Sequence, residues 1–179
     1  MRTTVIGIVL LVFISWAVQG SAGDVLKLSR IRWDFESGDL QGWTQTGTLN
    51  KQPTNKSDDR HMGNYNKQGE YFIGTCELAA PGTDYDDDLT GELKSPPFLI
   101  DAPAMSLLVG GGNSEKLYVA LCDAATGKKL MLARGRNAEA MRQVIWDVSE
   151  LQRRTAYLKI VAPQGAFFND RGEVAIHAI

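Results

Sequence analysis

An all-β sandwich is what this sequence predicts, on three observations. Residues 116–122 alternate strictly, with Leu117, Val119 and Leu121 on one face and Tyr118, Ala120 and Cys122 on the other. Residues 155–161 repeat the pattern, setting Ala156, Leu158 and Ile160 against Tyr157, Lys159 and Val161. Period two marks a half-buried strand, because successive side chains leave a strand on opposite sides. Turn-forming clusters break the chain at short intervals, and no long stretch carries the roughly 3.6-residue period of an amphipathic helix.

Taken in order, the chain opens on Met1 and Arg2, runs almost wholly apolar from Val5 to Val18, and leaves through Gly20, Ser21, Ala22 and Gly23. A basic start, a short apolar run and a small-residue exit form the pattern of a secretory signal peptide. An uncleaved membrane anchor is the rival reading, but a spanning helix needs about 20 apolar residues and this run stops short. Cleavage is expected after Gly23, with the bond after Ala22 next. That divides the chain into a signal peptide over residues 1–23 and a single domain over residues 24–179. No other segment is apolar enough to span a membrane, so no membrane insertion is expected after cleavage. The expected location is secreted, or retained in the cell envelope or periplasm.

Less regular strand patterns cover residues 31–35, 71–76, 97–100, 105–109, 143–148 and 173–179. Turn clusters lie between them at residues 36–39, 81–82, 110–113 and 125–128, the last reading as a hairpin turn. Only residues 137–142 and 149–153 look briefly helical. The polar stretch over residues 50–66 reads as an exposed loop, and it holds a glycosylation sequon at Asn55-Lys56-Ser57. A domain of this length can bury a proper core without staples.

Nineteen basic residues stand against 21 acidic ones, a net charge of −2 that becomes more negative once Arg2 is removed. Nucleic acid and anionic membrane both call for clustered Lys and Arg, so neither is expected as a partner. The two cysteines, Cys76 and Cys122, leave two readings open: a disulfide, which export permits, or two separate buried thiols acting as small apolar side chains. No CxxC occurs and the only histidines are His61 and His177, so nothing resembles a zinc site.

From residue 35 onward six segments stand in a recognisable order: FESGDLQGW at 35–43, NKQGEYFIGT at 66–75, LTGELKSPPF at 89–98, VGGGN at 109–113, ARGRNAE at 133–139 and WDVSEL at 146–151. Together they resemble the jelly-roll, galactose-binding-like module attached to levanase- and fructan-cleaving glycoside hydrolases of family 32. More distantly the chain is similar to the MAM domain, which opens with the same acidic-Gly-Trp strand. The resemblance covers nearly all of residues 24–179 and implies a single jelly-roll β-sandwich that binds carbohydrate or supports a neighbouring enzyme. It also implies a structural calcium between the first and last strands, with Asp34 and Glu36 as candidate ligands. In the last strand His177 stands where the module carries Asp, and a nitrogen ligand suits a hard cation poorly, which weakens the calcium reading.

Catalysis is not expected. Asp84, Asp86, Asp87 and Asp88 are adjacent carboxylates that read as a solvated loop rather than a pair facing across a cleft. No nucleophile motif such as GxSxG accompanies either histidine. Sugar binding needs an exposed aromatic platform beside polar side chains. Trp33, Trp43 and Trp146 fall in patterned positions and read as core, which leaves Phe167 and Phe168, beside Asn169, as the most exposed aromatic pair. One of the two could instead cap the sandwich end. Gly111 and Asn113 lie in the glycine loop, which either brings backbone amides to a ligand or only permits a tight strand exit. Arg134, Arg136 and Asn137 lie on the matching loop, able to donate to hydroxyls or to a carboxylate. The expected function is non-catalytic binding of extracellular or cell-surface carbohydrate through loops at one end of the sandwich. A structural module that engages a cell-surface protein, or a remnant accessory domain without a ligand, are the alternatives.

Overall fold

A computed structural model describes residues 25–49, 51–55, 65–76, 86 and 88–162. Within them the protein is an all-β sandwich with two single 3₁₀ turns, at Leu28–Arg30 and Ser149–Leu151. Its strands are β1 (Leu26–Lys27), β2 (Thr44–Gln45), β3 (Gly91–Lys94), β4 (Phe98–Leu99), β5 (Ala104–Gly111), β6 (Tyr118–Asp123), β7 (Lys129–Ala133), β8 (Ala138–Asp147) and β9 (Thr155–Ala162). Among the described residues no helix is long and apolar enough to cross a membrane.

The larger sheet is organised around β9. One side of β9 pairs antiparallel with β3 and, further along, with β4, while the other side pairs with β6. Beyond them, β2 extends the sheet from β3, β1 runs parallel to β4, and β7 closes the hairpin from β6. The second sheet joins β5 to β8 in register from Ala104↔Asp147 to Gly111↔Ala138, with an irregularity between Val109 and Gly111.

The period-two patterns decide which faces meet. Ala156, Leu158 and Ile160 are fully buried on one face of β9, and Val119 and Leu121 on the matching face of β6. They pack against Met105, Leu107 and Val109 of β5 and Trp146 of β8 in one continuous core. Full burial of a Leu or Ile side chain contributes about 1.5–3 kcal/mol, so each of these residues adds appreciably to stability through the interface between sheets. At one end Trp33 meets Trp43 edge to face at 5.3 Å and 80°, and touches Phe98 at 5.7 Å. All three expected core tryptophans, Trp33, Trp43 and Trp146, are 5% exposed.

Several expectations need correction. Residues 137–142 are not helical: Asn137 ends the preceding loop and residues 138–142 form the first half of β8. Their Ala- and Glu-containing sequence suits a helix in isolation, but pairing with β5 overrides that weak preference. Residues 31–35 form no strand, although Trp33 and Phe35 are buried as predicted. Phe35 turns into the left-handed region at φ 59°, and its N–H is taken by the Gln41 side chain at 3.2 Å. Gln41 in turn donates to Asp34 at 3.0 Å, so local side-chain bonds displace the ladder here. Over residues 71–76 strand pairing is limited to one bridge, Thr54↔Phe72. Nor is the polar stretch over 50–66 simply an exposed loop: Thr54 and Tyr65 are buried, and Tyr65 joins Phe72, Leu108 and Met141 in a small second core. That cluster covers one end of the outer face of the β5–β8 sheet, while Ile145 further along is 65% exposed. Residues 149–153 shorten to the single turn Ser149–Leu151.

No disulfide joins Cys76 to Cys122; both thiols are buried, the second of the two readings left open by the sequence. Cys122 is wholly enclosed on the outer face of the larger sheet, and burial pushes its thiol above the ordinary value of 9.0. Tyr157, hydrogen-bonded to that thiol, is also raised, first by burial and then by Cys122. A raised thiol keeps its proton in the folded chain while the unfolded chain would lose it. This contribution to stability is therefore complete below the ordinary thiol value and is lost as pH rises through the folded one. Folded protein is expected to leave Cys122 unlabelled by a thiol reagent at pH 8, with labelling appearing only in denaturant. Rapid labelling of the native Cys122 would contradict this burial.

Candidate functional site

The loop between β7 and β8 carries the chain from the larger sheet to the second one. It presses Gly135 against the backbone of Gly111 and Gly112, where a Cβ at position 135 would overlap the Gly111 carbonyl. Gly111 itself takes φ 92°, a conformation that glycine adopts without steric cost. Asn137 follows at φ 56°, which Asn tolerates better than most residues. Its backbone N–H donates to the Gly111 carbonyl at 2.8 Å, and its side-chain Oδ1 accepts from the Asn113 N–H at 2.7 Å. Two loops that each cross between the sheets, β5 to β6 and β7 to β8, are thereby tied into one rigid corner.

That corner borders a shallow, open cavity of about 330 Å³. Asn113, Arg134, Gly135, Arg136 and Arg142 line it, with Leu132 and Val144 as apolar walls. Arg134 and Arg142 are half-buried and Arg136 is exposed. An Arg142 guanidinium N–H donates to the Arg134 carbonyl at 3.4 Å. The Nε atoms of Arg134 and Arg142 are buried without a hydrogen-bond partner. Burial, and then the charge of Arg136, hold the Arg142 guanidinium below its ordinary pKa. Among the described residues the ion pairs lie elsewhere, at Arg32–Asp34, Arg154–Asp123 and Lys159–Glu92. Among the described residues the cavity therefore holds three guanidinium groups with no carboxylate paired to them.

Five of the residues singled out from the sequence, Gly111, Asn113, Arg134, Arg136 and Asn137, converge on this corner. Arg142 was missed because residues 137–142 read as a helical piece. As a strand, the alternation Arg142, Val144, Trp146 would have aligned Arg142 with the inward face. Phe167, Phe168 and Asn169, and with them His177, lie outside the described residues.

Asp34 and Glu36 belong to a different turn, and their oxygens are already engaged. Asp34 Oδ1 accepts from the Gln41 side chain and from the Glu36 N–H, and Oδ2 faces Arg32 at 3.4 Å. Glu36 accepts from the backbone N–H groups of Glu70 and Tyr71 at 2.9 and 3.0 Å, anchoring that segment. Calcium needs about six to eight oxygen ligands. Among the described residues no group of three or more His, Cys, Asp and Glu side chains gathers to begin such a shell. Both carboxylates thus carry hydrogen bonds within the described residues, and the last strand, which the calcium reading pairs with them, lies outside the described residues.

No family model matches the chain. Over 132 residues, 72% of its length, it is 29% identical to a protein of Aspergillus rugulosus named as a glycosyl hydrolase, ecdE. The chain spans only 18% of that relative's length. Among solved structures it is similar to the cleaved adhesin domain of Lys-gingipain from Porphyromonas gingivalis, at 17% identity and a TM-score of 0.44, covering 83% of this chain and 94% of that one. It is also similar to a family 35 carbohydrate-binding module from an environmental isolate, at 12% identity and a TM-score of 0.37, covering 76% and 91%.

Proposed function

We propose that this protein is a non-catalytic carbohydrate-binding module, exported by a signal peptide over residues 1–23, whose ligand sits in the Arg134–Arg136–Arg142 cavity. The observation that carries the reading is the cavity itself. Guanidinium and amide donors face an open recess, two hydrogen-bonded loops that cross between the sheets hold them in place, and apolar walls flank them. Hydroxyl-rich ligands need such preset donors, because each water lost from a sugar hydroxyl has to be replaced by a protein partner. The sequence likeness to part of a protein named as a glycosyl hydrolase supports an accessory role beside carbohydrate-active enzymes. The resemblance to levanase-associated modules makes fructans a ligand class to include in any screen.

The test is a glycan array probed with the protein, with and without calcium, beside an Arg134→Ala/Arg136→Ala variant. Binding to a defined glycan class that falls by roughly tenfold or more in the variant is expected, since charge-assisted hydrogen bonds are lost. Absence of binding by folded, monodisperse protein would remove the carbohydrate reading and leave a protein-partner or purely structural role. Protein recovered from the exported fraction is expected to begin at Asp24; a chain that keeps Met1 there would contradict the signal peptide.

A further inference from the structure

We propose that the glycan recognised at this cavity is acidic, its carboxylate or sulfate group held by Arg134, Arg136 and Arg142. The inference rests on the carbohydrate-binding reading above and adds the charge of the ligand. Three guanidinium groups line one recess, and none of them enters an ion pair among the described residues. Collecting like charges costs energy, more so where two of the side chains are half-buried, and an anion in the recess removes that cost. The buried Nε atoms of Arg134 and Arg142 are donors without acceptors. A buried donor left unpaired costs about 1–3 kcal/mol; these two Nε atoms are closed off from the recess, so an anion there would act on the same guanidinium groups by offsetting their charge rather than by bonding Nε. A neutral sugar would meet some of the same donors but would leave the charge uncompensated.

The chain as a whole argues for a local effect. At a net charge of −2 it has no general attraction for polyanions, so preference for an acidic glycan has to arise from a site. Planar guanidinium groups also match carboxylate and sulfate geometry with paired hydrogen bonds, which gives recognition beyond simple charge.

Affinity electrophoresis of the protein through gels containing polygalacturonate, dextran sulfate or unmodified dextran separates the outcomes. Retardation by one of the two acidic polymers and not by dextran is expected, and which polymer acts identifies carboxylate or sulfate as the group bound. Arg136→Glu, at an exposed position that does not disturb folding, is expected to weaken that retardation by roughly tenfold or more. Lys128→Glu, in the hairpin at the opposite end of β7, is expected to leave it unchanged. Equal loss in Lys128→Glu would show general charge attraction and overturn the proposal. Binding of neutral glycans on the array that Arg136→Glu leaves intact would overturn the acidic ligand and the cavity as its site, while preserving carbohydrate binding by the domain. Failure to bind any glycan, neutral or acidic, would overturn both.

Discussion

Trp33→Ala is expected to lower the free energy of unfolding by about 3–5 kcal/mol, a large share of what holds a domain of this size together. Trp33 lies outside any strand, yet it is 5% exposed and links the 31–43 segment to the sheet. Its ring contacts Trp43 edge to face at 5.3 Å and Phe98 of β4 at 5.7 Å. Removing it leaves a cavity that rigid neighbours on both sides cannot fill, and it ends the aromatic pairing, each pair worth about 0.5–1.5 kcal/mol beyond its buried area. Urea denaturation of the wild type and the variant measures the difference. A change under 1 kcal/mol would show that this corner does not contribute to the cooperative core.

Gly135→Ala is expected to damage stability and the site together. The added methyl group enters the space of the Gly111 carbonyl, which is backbone and cannot swing aside as a flexible side chain would. Relief requires the β7–β8 loop to shift, and the shift disrupts the Asn137 N–H to Gly111 bond and the Asn113 to Asn137 bond together. Overpacking of this kind costs about 1–3 kcal/mol. Because the same loop carries Arg134 and Arg136, glycan binding is expected to weaken by roughly tenfold even in protein that remains folded. Denaturation and array binding of the one variant test both halves. Unchanged binding at reduced stability would separate the loop's structural role from the proposed site.

How far the molecule is legible in its sequence differs from segment to segment. Strands β6 and β9 were legible because each buries one face against the core and keeps the other partly open, which writes period two directly into the chain. Strands β3 and β7 were harder. Leu93 is the sole buried residue of β3, and β7 follows a hairpin turn with a mixed run of lysines and apolar residues, so neither shows clean alternation. The start of β8 was misread because long-range pairing, not local propensity, decides its conformation. Residues 31–35 erred the other way: their alternation reflects burial of Trp33 and Phe35 by an irregular segment that side-chain hydrogen bonds hold.

For the site, the family-like loops at 109–113 and 133–139 were the readable part, since turn glycines and clustered polar residues stand out. Their convergence was not readable, because nothing local says that the exit of β5 touches the loop before β8. Arg142 belongs to the cavity only through that tertiary contact. The engagement of Glu36 with the backbone of residues 70 and 71 is equally non-local and could not be read from the sequence.

The most direct test of the central claim is a ¹H–¹⁵N NMR titration of the protein with an oligosaccharide of the class the array selects. Saturable shifts concentrated on the amides of Gly111, Gly112 and Asn113, on Arg134 to Asn137, and on the side-chain Nε–H signals of Arg134 and Arg142 are the predicted result. Shifts confined to the outer face around Tyr118 and Tyr157, or to the Asp34–Glu36 turn, would place the ligand elsewhere and contradict the site argued for here.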